Sequence, residues 1–125
     1  MKWLPTIGVA LVIGTGSSWP TAATLPYTQI LMEDGSPYYI PVTATVSSGS
    51  PIRWDNPTPT HHTVTHNGCA ESGQPCAFDS GPVPPGSQFT LPGLPAGHYA
   101  YHCRIHPIMR GLLTVTEAPS VPSQL

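Results

Sequence analysis

The chain has 125 residues, of which 17 are proline, 12 are glycine and only 8% carry a formal charge. So much proline excludes a helical bundle, because a proline inside a helix costs about 3 kcal/mol, and it favours short strands joined by turns. A hydrophobic fraction of 39% is enough for a core, and the low charge excludes a disordered polyelectrolyte. The formal net charge of −2 provides no basic surface for nucleic acid.

Residues 1–23 are typical of a secretory signal peptide. Lys2 supplies the positive start, 4–13 form a short apolar run, and the small residues at 21–23 form a cleavage site. The apolar run is shorter than the roughly 20 residues that a membrane span needs. We therefore predict that the protein is exported to the periplasm or secreted, with 24–125 left as a single domain.

Several short segments alternate apolar and polar residues and are bounded by glycine, proline, serine or asparagine. This pattern predicts strands joined by turns, and no segment has the 3.6-residue period of an amphipathic helix. We therefore expect an all-β fold, either a Greek-key sandwich or a barrel. In chain order, the predicted strands are an edge strand within 24–37, then 38–46, 51–54, 62–66, 87–91, 99–103 and 112–116, followed by a fraying tail at 118–125.

The chain contains three cysteines, an odd number. Cys69 and Cys76 enclose a short turn-forming stretch, and in an exported protein we expect them to form a disulfide. Closing so short a loop contributes about 2–3 kcal/mol in the chain-entropy model. A metal site at these two residues is disfavoured, because their spacing is long and no third ligand adjoins them. Cys103 is then an unpaired thiol, open to oxidation unless something occupies it.

A set of metal-binding side chains follows Cys103: His106 comes three residues later, and Met109 three residues after that. A thiolate, an imidazole and a thioether at this spacing can converge from one tight loop on a single soft metal ion. Completed by a second imidazole, they make a trigonal Cys/His/His copper site with a weak axial Met. A buried apolar role is more usual for a lone cysteine, but this spacing favours the metal site.

The second imidazole has to come from elsewhere in the chain. Successive side chains of a strand point to opposite faces, so at most one of His61 and His62 can reach the metal. By the same rule His98 and His102 lie on the face opposite Cys103, and we expect both to be exposed. The candidates for the remaining ligand are His61, His62, His66, His98 and His102. Of these, we expect His61, His66 and His98 to be solvated surface residues.

Taken together, these segments resemble the small type 1 (blue) copper proteins of the cupredoxin family, in the plastocyanin/amicyanin group. The resemblance extends over about 38–116, nearly all of the predicted mature chain. The short spacing between His106 and Met109 is more similar to amicyanin than to the longer loop of plastocyanin. The matching segments are 52–56 (IRWDN), 62–64 (HTV), Phe89, 97–103 (GHYAYHC), 106–109 (HPIM) and Gly111.

The resemblance implies an eight-stranded Greek-key β-sandwich with one type 1 copper per chain. His62, Cys103 and His106 would bind the copper in one plane, with Met109 as the axial ligand. The implied function is to carry single electrons between transient redox partners that dock near His106. We expect a monomer with no stable membrane insertion.

Three positions depart from the family pattern. Thr63 stands where the family commonly has an Asn that ties the two ligand loops together, and a Thr hydroxyl can form a similar bond. His102 stands where an aromatic residue often precedes the cysteine. Pro107 has no N–H to donate to the Cys103 sulfur, so we expect a more electron-rich thiolate and a lower reduction potential.

Two other functions fit parts of this pattern. A periplasmic copper-binding or copper-delivery protein would use the same four ligands, so the sequence barely separates it from an electron carrier. A copper enzyme of the nitrite reductase type would use His102 at a second copper, but it also needs imidazoles from a neighbouring subunit and usually two domains. The sequence shows no catalytic motif, and Met109 would fill the axial position, so we predict that the chain is not an enzyme.

Overall fold

The computed structural model describes residues 25–118, which form two four-stranded β-sheets that share one core. The predicted signal peptide and nearly all of the predicted tail lie outside these residues, so both stay predictions. The strands are β1 (Thr28–Met32), β2 (Tyr39–Ile40), β3 (Thr43–Ser47), β4 (Ile52–Asp55), β5 (Thr65–His66), β6 (Gln88–Leu91), β7 (Gly97–His102) and β8 (Arg110–Thr116). A single 3₁₀ turn, Asn67–Ala70, follows β5.

The strand order is β2-β1-β4-β6 in the first sheet and β3-β8-β7-β5 in the second. Both sheets are mixed, because β1 pairs parallel to β4 and β3 pairs parallel to β8. The all-β prediction is confirmed, with the eight strands that the cupredoxin resemblance implies. Within 25–118 no helix has the length and apolar character to cross a membrane.

The prediction of one strand over 38–46 is wrong in detail. The segment is divided into β2, which pairs with β1, and β3, which pairs with β8 in the other sheet. Pro41 lies at the break and has no N–H to offer a strand partner. The chain therefore changes sheet here, and Val42, predicted as part of the alternating strand, is exposed. The lead-in strand β1 is also not an edge strand, because it lies between β2 and β4.

Three fully buried aromatic side chains, Trp54, Tyr39 and Tyr101, lie at the centre of the core. The Trp54 indole N–H donates to the Tyr101 hydroxyl oxygen over 3.2 Å, and the Tyr39 hydroxyl donates to the Thr63 carbonyl over 2.6 Å. Burial raises the pKa of Tyr39 far above its ordinary value, so it remains a donor. The core is thereby bonded to the backbone next to His62.

Cys69 and Cys76 are joined by the predicted disulfide. Cys69 belongs to the 3₁₀ turn that follows β5, so the bridge closes an excursion of the chain beside the second sheet. Among the described residues Cys103 is the free cysteine, and it is fully buried. The pairing leaves its thiol free for another role.

Candidate metal centre

Three of the four predicted ligand side chains converge at one end of the sandwich. The Cys103 sulfur lies 3.8 Å from Nδ1 of His106 and 4.0 Å from Nδ1 of His62. The potential ligand atoms of the three residues all lie within 4.8 Å of one another. In the described part of the chain this is the one group of three or more His, Cys, Asp or Glu side chains that can hold a metal ion.

The spacing of these atoms fits a single bound metal ion. Two donors that bind one ion at about 2.0–2.3 Å, with a trigonal angle between them, lie about 3.7 Å apart. The two sulfur–nitrogen distances are close to this value. A thiolate with two imidazoles is also the donor set that soft transition metals such as copper prefer. The side chains of His62, Cys103 and His106 therefore fit the copper that the resemblance implies.

The loop 103–109 is closed by its own backbone. The Cys103 N–H donates to the Met109 carbonyl over 3.0 Å, and the Met109 N–H donates to the His106 carbonyl over 2.8 Å. Met109 is fully buried, whereas His106 keeps part of its ring exposed. These bonds bring the Met109 backbone back beside Cys103, and the Met109 side chain is enclosed by the protein.

His62 is held by a pair of backbone bonds rather than by the strand predicted over 62–66. Its N–H donates to the Val83 carbonyl over 3.3 Å, and the Val83 N–H donates to the His62 carbonyl over 2.7 Å. Regular pairing begins only at Thr65 in β5. The strand prediction was too long because 62–64 pass beside an irregular segment rather than beside another strand.

The loop before His62 is braced by Asn56, which is buried. Its side-chain amide donates to the carbonyl of Thr60 over 2.8 Å and to that of Val83 over 2.9 Å. Its side-chain oxygen accepts from the Thr58 hydroxyl over 2.6 Å. Asn56 thus joins both segments whose backbones position His62.

Thr63 makes the bond between ligand loops that a Thr in this position can form. Its hydroxyl oxygen accepts from the Arg104 N–H over 2.8 Å, and its own N–H donates to the Cys103 sulfur over 3.3 Å. Pro107 has no N–H to give the sulfur a second bond of this kind. The Cys103 thiolate would therefore depend on Thr63 for backbone donation.

A chain of polar contacts extends from Thr63 to the surface. The Thr63 and Thr65 hydroxyls are 2.9 Å apart, and the Thr65 hydroxyl donates to Asp79 Oδ1 over 2.9 Å. The Arg104 guanidinium donates to Asp79 Oδ2 over 3.0 Å. Because the Thr65 hydroxyl gives its one hydrogen to Asp79, the Thr63 hydroxyl is the donor to Thr65, and both hydroxyl hydrogens point toward the carboxylate.

The pKa of Asp79 follows from these contacts. Partial burial alone would raise it, but hydrogen bonds from the Gly81 N–H, Arg104 and Thr65 outweigh burial, so the pKa lies below its ordinary value. The carboxylate therefore stays ionised as the acceptor at the end of the chain. Sequence reasoning missed Thr65 and Asp79, because neither belongs to a local motif.

Asp34 is a second contact that sequence reasoning missed. Its Oδ1 lies 2.8 Å from Nε2 of His62, the ring nitrogen that faces away from Cys103. A hydrogen bond from the Thr60 hydroxyl and the neighbouring His62 hold the pKa of Asp34 below its ordinary value. Asp34 lies in the loop between β1 and β2, a part of the chain that the ligand motifs do not include.

The remaining histidines lie apart from the metal-binding group. His61 and His98 are exposed, as expected. The expectation was wrong for two others. His66 is half-buried, because the Phe78 and Tyr99 rings pack against its imidazole. His102 is also half-buried.

His102 contacts the 3₁₀ turn through one of its ring nitrogens. Its Nδ1 lies 2.6 Å from the Asn67 side-chain oxygen. Burial, followed by the charges of Arg110 and Arg104, lowers the pKa of its imidazole. Asn67 belongs to the 3₁₀ turn, which approaches β7 closely and covers this side chain.

Exposed apolar residues flank His106 in the loop 103–109. Ile108 is 71% exposed and Ile105 is 46% exposed, and Pro107 between them is also exposed. Large apolar side chains at this exposure on one short loop form a surface patch. Arg104 and Arg110 flank the patch, and Arg104 is paired with Asp79.

Comparison with solved structures identifies the class of fold. A copper(I) form of an amicyanin variant matches with a TM-score of 0.62 at 22% identity, over 74% of this chain and 85% of that protein. An oxidised form of another amicyanin variant matches with a TM-score of 0.61 at 23% identity, over 72% and 82%. A purple cupredoxin from Nitrosopumilus maritimus matches with a TM-score of 0.59 at 24% identity, over 71% of this chain and 99% of that one.

These matches establish the cupredoxin fold for this chain. A scan against models of protein families and a search of curated proteins both found no match. The arrangement of His62, Cys103 and His106, with Met109 buried on the same loop, fits a type 1 copper site on this fold.

Proposed function

We propose that this chain is an exported type 1 copper protein that carries single electrons between redox partners. The main support is that the buried Cys103 sulfur lies 4.0 Å from Nδ1 of His62 and 3.8 Å from Nδ1 of His106 in a cupredoxin fold. His62, Cys103 and His106 would bind the copper, with Met109 as the axial ligand.

Copper, when bound, supplies a one-electron couple between Cu(I) and Cu(II). The chain supplies a donor set that has little freedom to move. Cys103 and Met109 are joined by a backbone hydrogen bond, and His62 is paired with Val83. Since both segments are fixed to the same core, the same donor positions would serve both oxidation states. This rigidity suits a carrier, because a small rearrangement favours fast electron transfer.

The position of Met109 favours a carrier over an enzyme. Catalytic metal sites keep an open position for water or substrate, whereas here a fully buried Met109, bonded through its backbone to Cys103, would supply the axial ligand. A nitrite reductase type of enzyme would use His102 at a second copper, but among the described residues His102 belongs to no group of three or more His, Cys, Asp or Glu side chains that could hold a metal ion. We infer one copper per chain and no catalytic role.

The patch formed by Ile105, Pro107 and Ile108 is the proposed docking surface for redox partners. It flanks His106, the ligand whose ring is partly exposed. A small apolar patch suits weak and transient complexes. The disulfide between Cys69 and Cys76 supports an oxidising compartment. Export and a monomeric state are therefore part of the proposal.

Copper titration of the purified protein tests the site. We expect one Cu(II) per chain and an intense visible absorption from the thiolate–copper bond, which Cys103→Ser abolishes. His62→Gln is expected to weaken this absorption strongly, and the neighbouring exposed His61→Gln is its matched control. Loss of the absorption in His61→Gln but not in His62→Gln would contradict the ligand assignment.

A second measurement separates an electron carrier from a copper-delivery protein. A carrier keeps its copper through repeated cycles of oxidation and reduction and exchanges electrons with small redox mediators. A delivery protein loses its copper within minutes to a metal-free acceptor. Rapid transfer of copper to such an acceptor would overturn the proposed function while leaving the ligand set intact.

A further inference from the structure

Asp34 contacts the proposed ligand His62 from the side opposite the metal-binding group. Its Oδ1 lies 2.8 Å from Nε2 of His62, and Nδ1 of the same ring faces the Cys103 sulfur. The His62 side chain is 2% exposed, whereas that of Asp34 is 44% exposed. The outer ring nitrogen of a buried imidazole thus contacts a carboxylate at the protein surface.

The contact determines where the imidazole carries its proton. A neutral imidazole has one N–H and one acceptor nitrogen, and the nitrogen that binds a metal must be the acceptor. A carboxylate can only accept. With Asp34 at Nε2, the N–H lies at Nε2 and is donated to Oδ1, which leaves Nδ1 free to bind.

Asp34 is itself held in place. The Thr60 hydroxyl donates to its second oxygen, Oδ2, over 2.9 Å. Its loop is closed by the Glu33 N–H, which donates to the Tyr38 carbonyl over 2.7 Å, and by the Tyr38 N–H, which donates to the Gly35 carbonyl over 2.8 Å. The carboxylate therefore keeps its position without help from the metal.

The two proposed imidazole ligands differ in burial and in whether a carboxylate contacts the ring. His106 has a partly exposed ring, and no carboxylate of residues 25–118 forms an ion pair with it. His62 has both a buried ring and a fixed anion on its outer nitrogen. A carboxylate bonded to a metal-binding histidine fixes the ring and raises the basicity of the ligand nitrogen.

We propose that Asp34 is a positioning residue that fixes the tautomer of His62 and favours Cu(II) over Cu(I) at the site. This inference rests on the proposed copper function, which it deepens. A more basic ligand and a nearby negative charge both stabilise the more highly charged ion. The carboxylate thereby lowers the reduction potential without contacting the metal.

Three variants separate the effects of charge and orientation. Asp34→Asn keeps an acceptor oxygen but removes the charge, and Asp34→Ala removes both. Glu33→Gln removes an exposed carboxylate one residue away and is the matched control for charge alone. Removal of an outer partner of a metal ligand typically costs 10–100-fold in metal affinity. For Asp34→Asn we expect the affinity for Cu(II) to fall about tenfold relative to Cu(I), a rise of about 59 mV in the potential.

The tautomer is measured separately in the metal-free protein by long-range proton–nitrogen NMR correlation. The wild type and Asp34→Asn should show His62 with its proton on Nε2, whereas Asp34→Ala should show a mixture of both tautomers. Thr60→Val, which removes the donor to Oδ2, should give a smaller rise in potential of the same sign.

Two results would overturn the inference. One is an equal change of potential in Asp34→Asn and Glu33→Gln, which would leave only a general charge effect. The other is an unchanged tautomer in Asp34→Ala. A wild type that binds no copper would contradict the proposed function instead, and the NMR measurement would still decide whether Asp34 controls the tautomer.

Discussion

The loop 103–109 carries three of the four proposed ligands and is closed by its own backbone, whereas His62 lies in a loop that distant parts of the chain hold in place. Two bonds among Cys103, His106 and Met109 close the first loop. His62 depends on Val83 and Asp34, which are far from it in the sequence. One half of the site is thus a local structure and the other half a product of the whole fold.

We expect the two halves of the site to respond differently to substitutions. The first half depends on two bonds within seven residues and, from outside the loop, on the bonds of Thr63 to Cys103 and Arg104. The second half is coupled to three separate segments, around Asp34, Asn56 and Val83. We therefore expect substitutions far from the ligands in sequence to act on the site through the His62 side, and partner contact to be set from the His106 side.

The largest expected effect distinguishes the two imidazoles. His106→Gly should lower the rate of electron exchange at least about tenfold, the scale of loss seen when groups around a metal ligand are removed. Added imidazole should restore it, because this ring lies at the surface. His62→Gly should show no such rescue, since its side chain is 2% exposed. Normal exchange rates in His106→Gly without added imidazole would contradict electron transfer at this edge.

Gly111→Ala disturbs the packing of β8 next to the loop 103–109. An added Cβ would lie 2.4 Å from the Tyr101 ring, so β8 or the ring must shift where the loop 103–109 rejoins the sheet. Overpacking of this kind costs about 1–3 kcal/mol of unfolding free energy, measurable by denaturant titration. Gly35→Ala is the control, because its Cβ meets nothing within 4 Å. Equal stability of the two variants would contradict this packing.

Thr63→Val cuts the bond that joins the two halves. It leaves the Arg104 N–H without its acceptor, which should cost about 1–2 kcal/mol of unfolding free energy. Thr45→Val, at an exposed position of β3, is the matched control and should change stability little. If the two variants lose the same stability, the Thr63 hydroxyl does not join the loops.

Pro107→Ala adds a backbone hydrogen-bond donor to the loop 103–109. A backbone N–H at this position can donate to the Cys103 sulfur and withdraw charge from it, so the reduction potential should rise. A hydrogen bond of this kind is worth about 1 kcal/mol, or roughly 40 mV for one electron. Voltammetry measures the shift, and an unchanged or lower potential would contradict the role given to the missing N–H.

Asp79→Asn gives the smallest expected effect, seen in the acid dependence of stability. The folded-state pKa of Asp79 is lowered, so its contribution is complete above the ordinary pKa and is lost as the pH falls through the lowered value. The variant should therefore lose less stability than the wild type between about pH 5 and pH 2. Glu117→Gln, which removes an exposed carboxylate, is the control. An unchanged acid profile in Asp79→Asn would show that the Arg104 pair contributes nothing.

The sequence predicted the loop 103–109 better than the surroundings of His62. The grouping of Cys103, His106 and Met109 was predictable, because the ligands are three residues apart and a short loop must bring them together. The choice of His62 needed the family resemblance, since alternation disfavoured His98 and His102 but did not decide among His61, His62 and His66. The division between β2 and β3 was signalled by Pro41, which the alternating pattern of 38–46 outweighed.

The contacts of Asp34 and Asp79 were not predictable from local patterns. Asp34 precedes His62 by 28 residues, and Asp79 follows Thr65 by 14. Both contacts arise only when irregular loops are placed by strands of the sandwich. Neither residue has a spacing or a neighbour that distinguishes it from an ordinary surface acid.

The placement of the three cysteines also bears on oxidative folding. Cys69 and Cys76 are seven residues apart, so they meet far more often in the unfolded chain than either meets Cys103. Once the sandwich forms, the Cys103 sulfur is enclosed and out of reach of thiol exchange with another molecule. If the protein is exported as we propose, its third thiol would therefore stay intact in an oxidising compartment until copper binds.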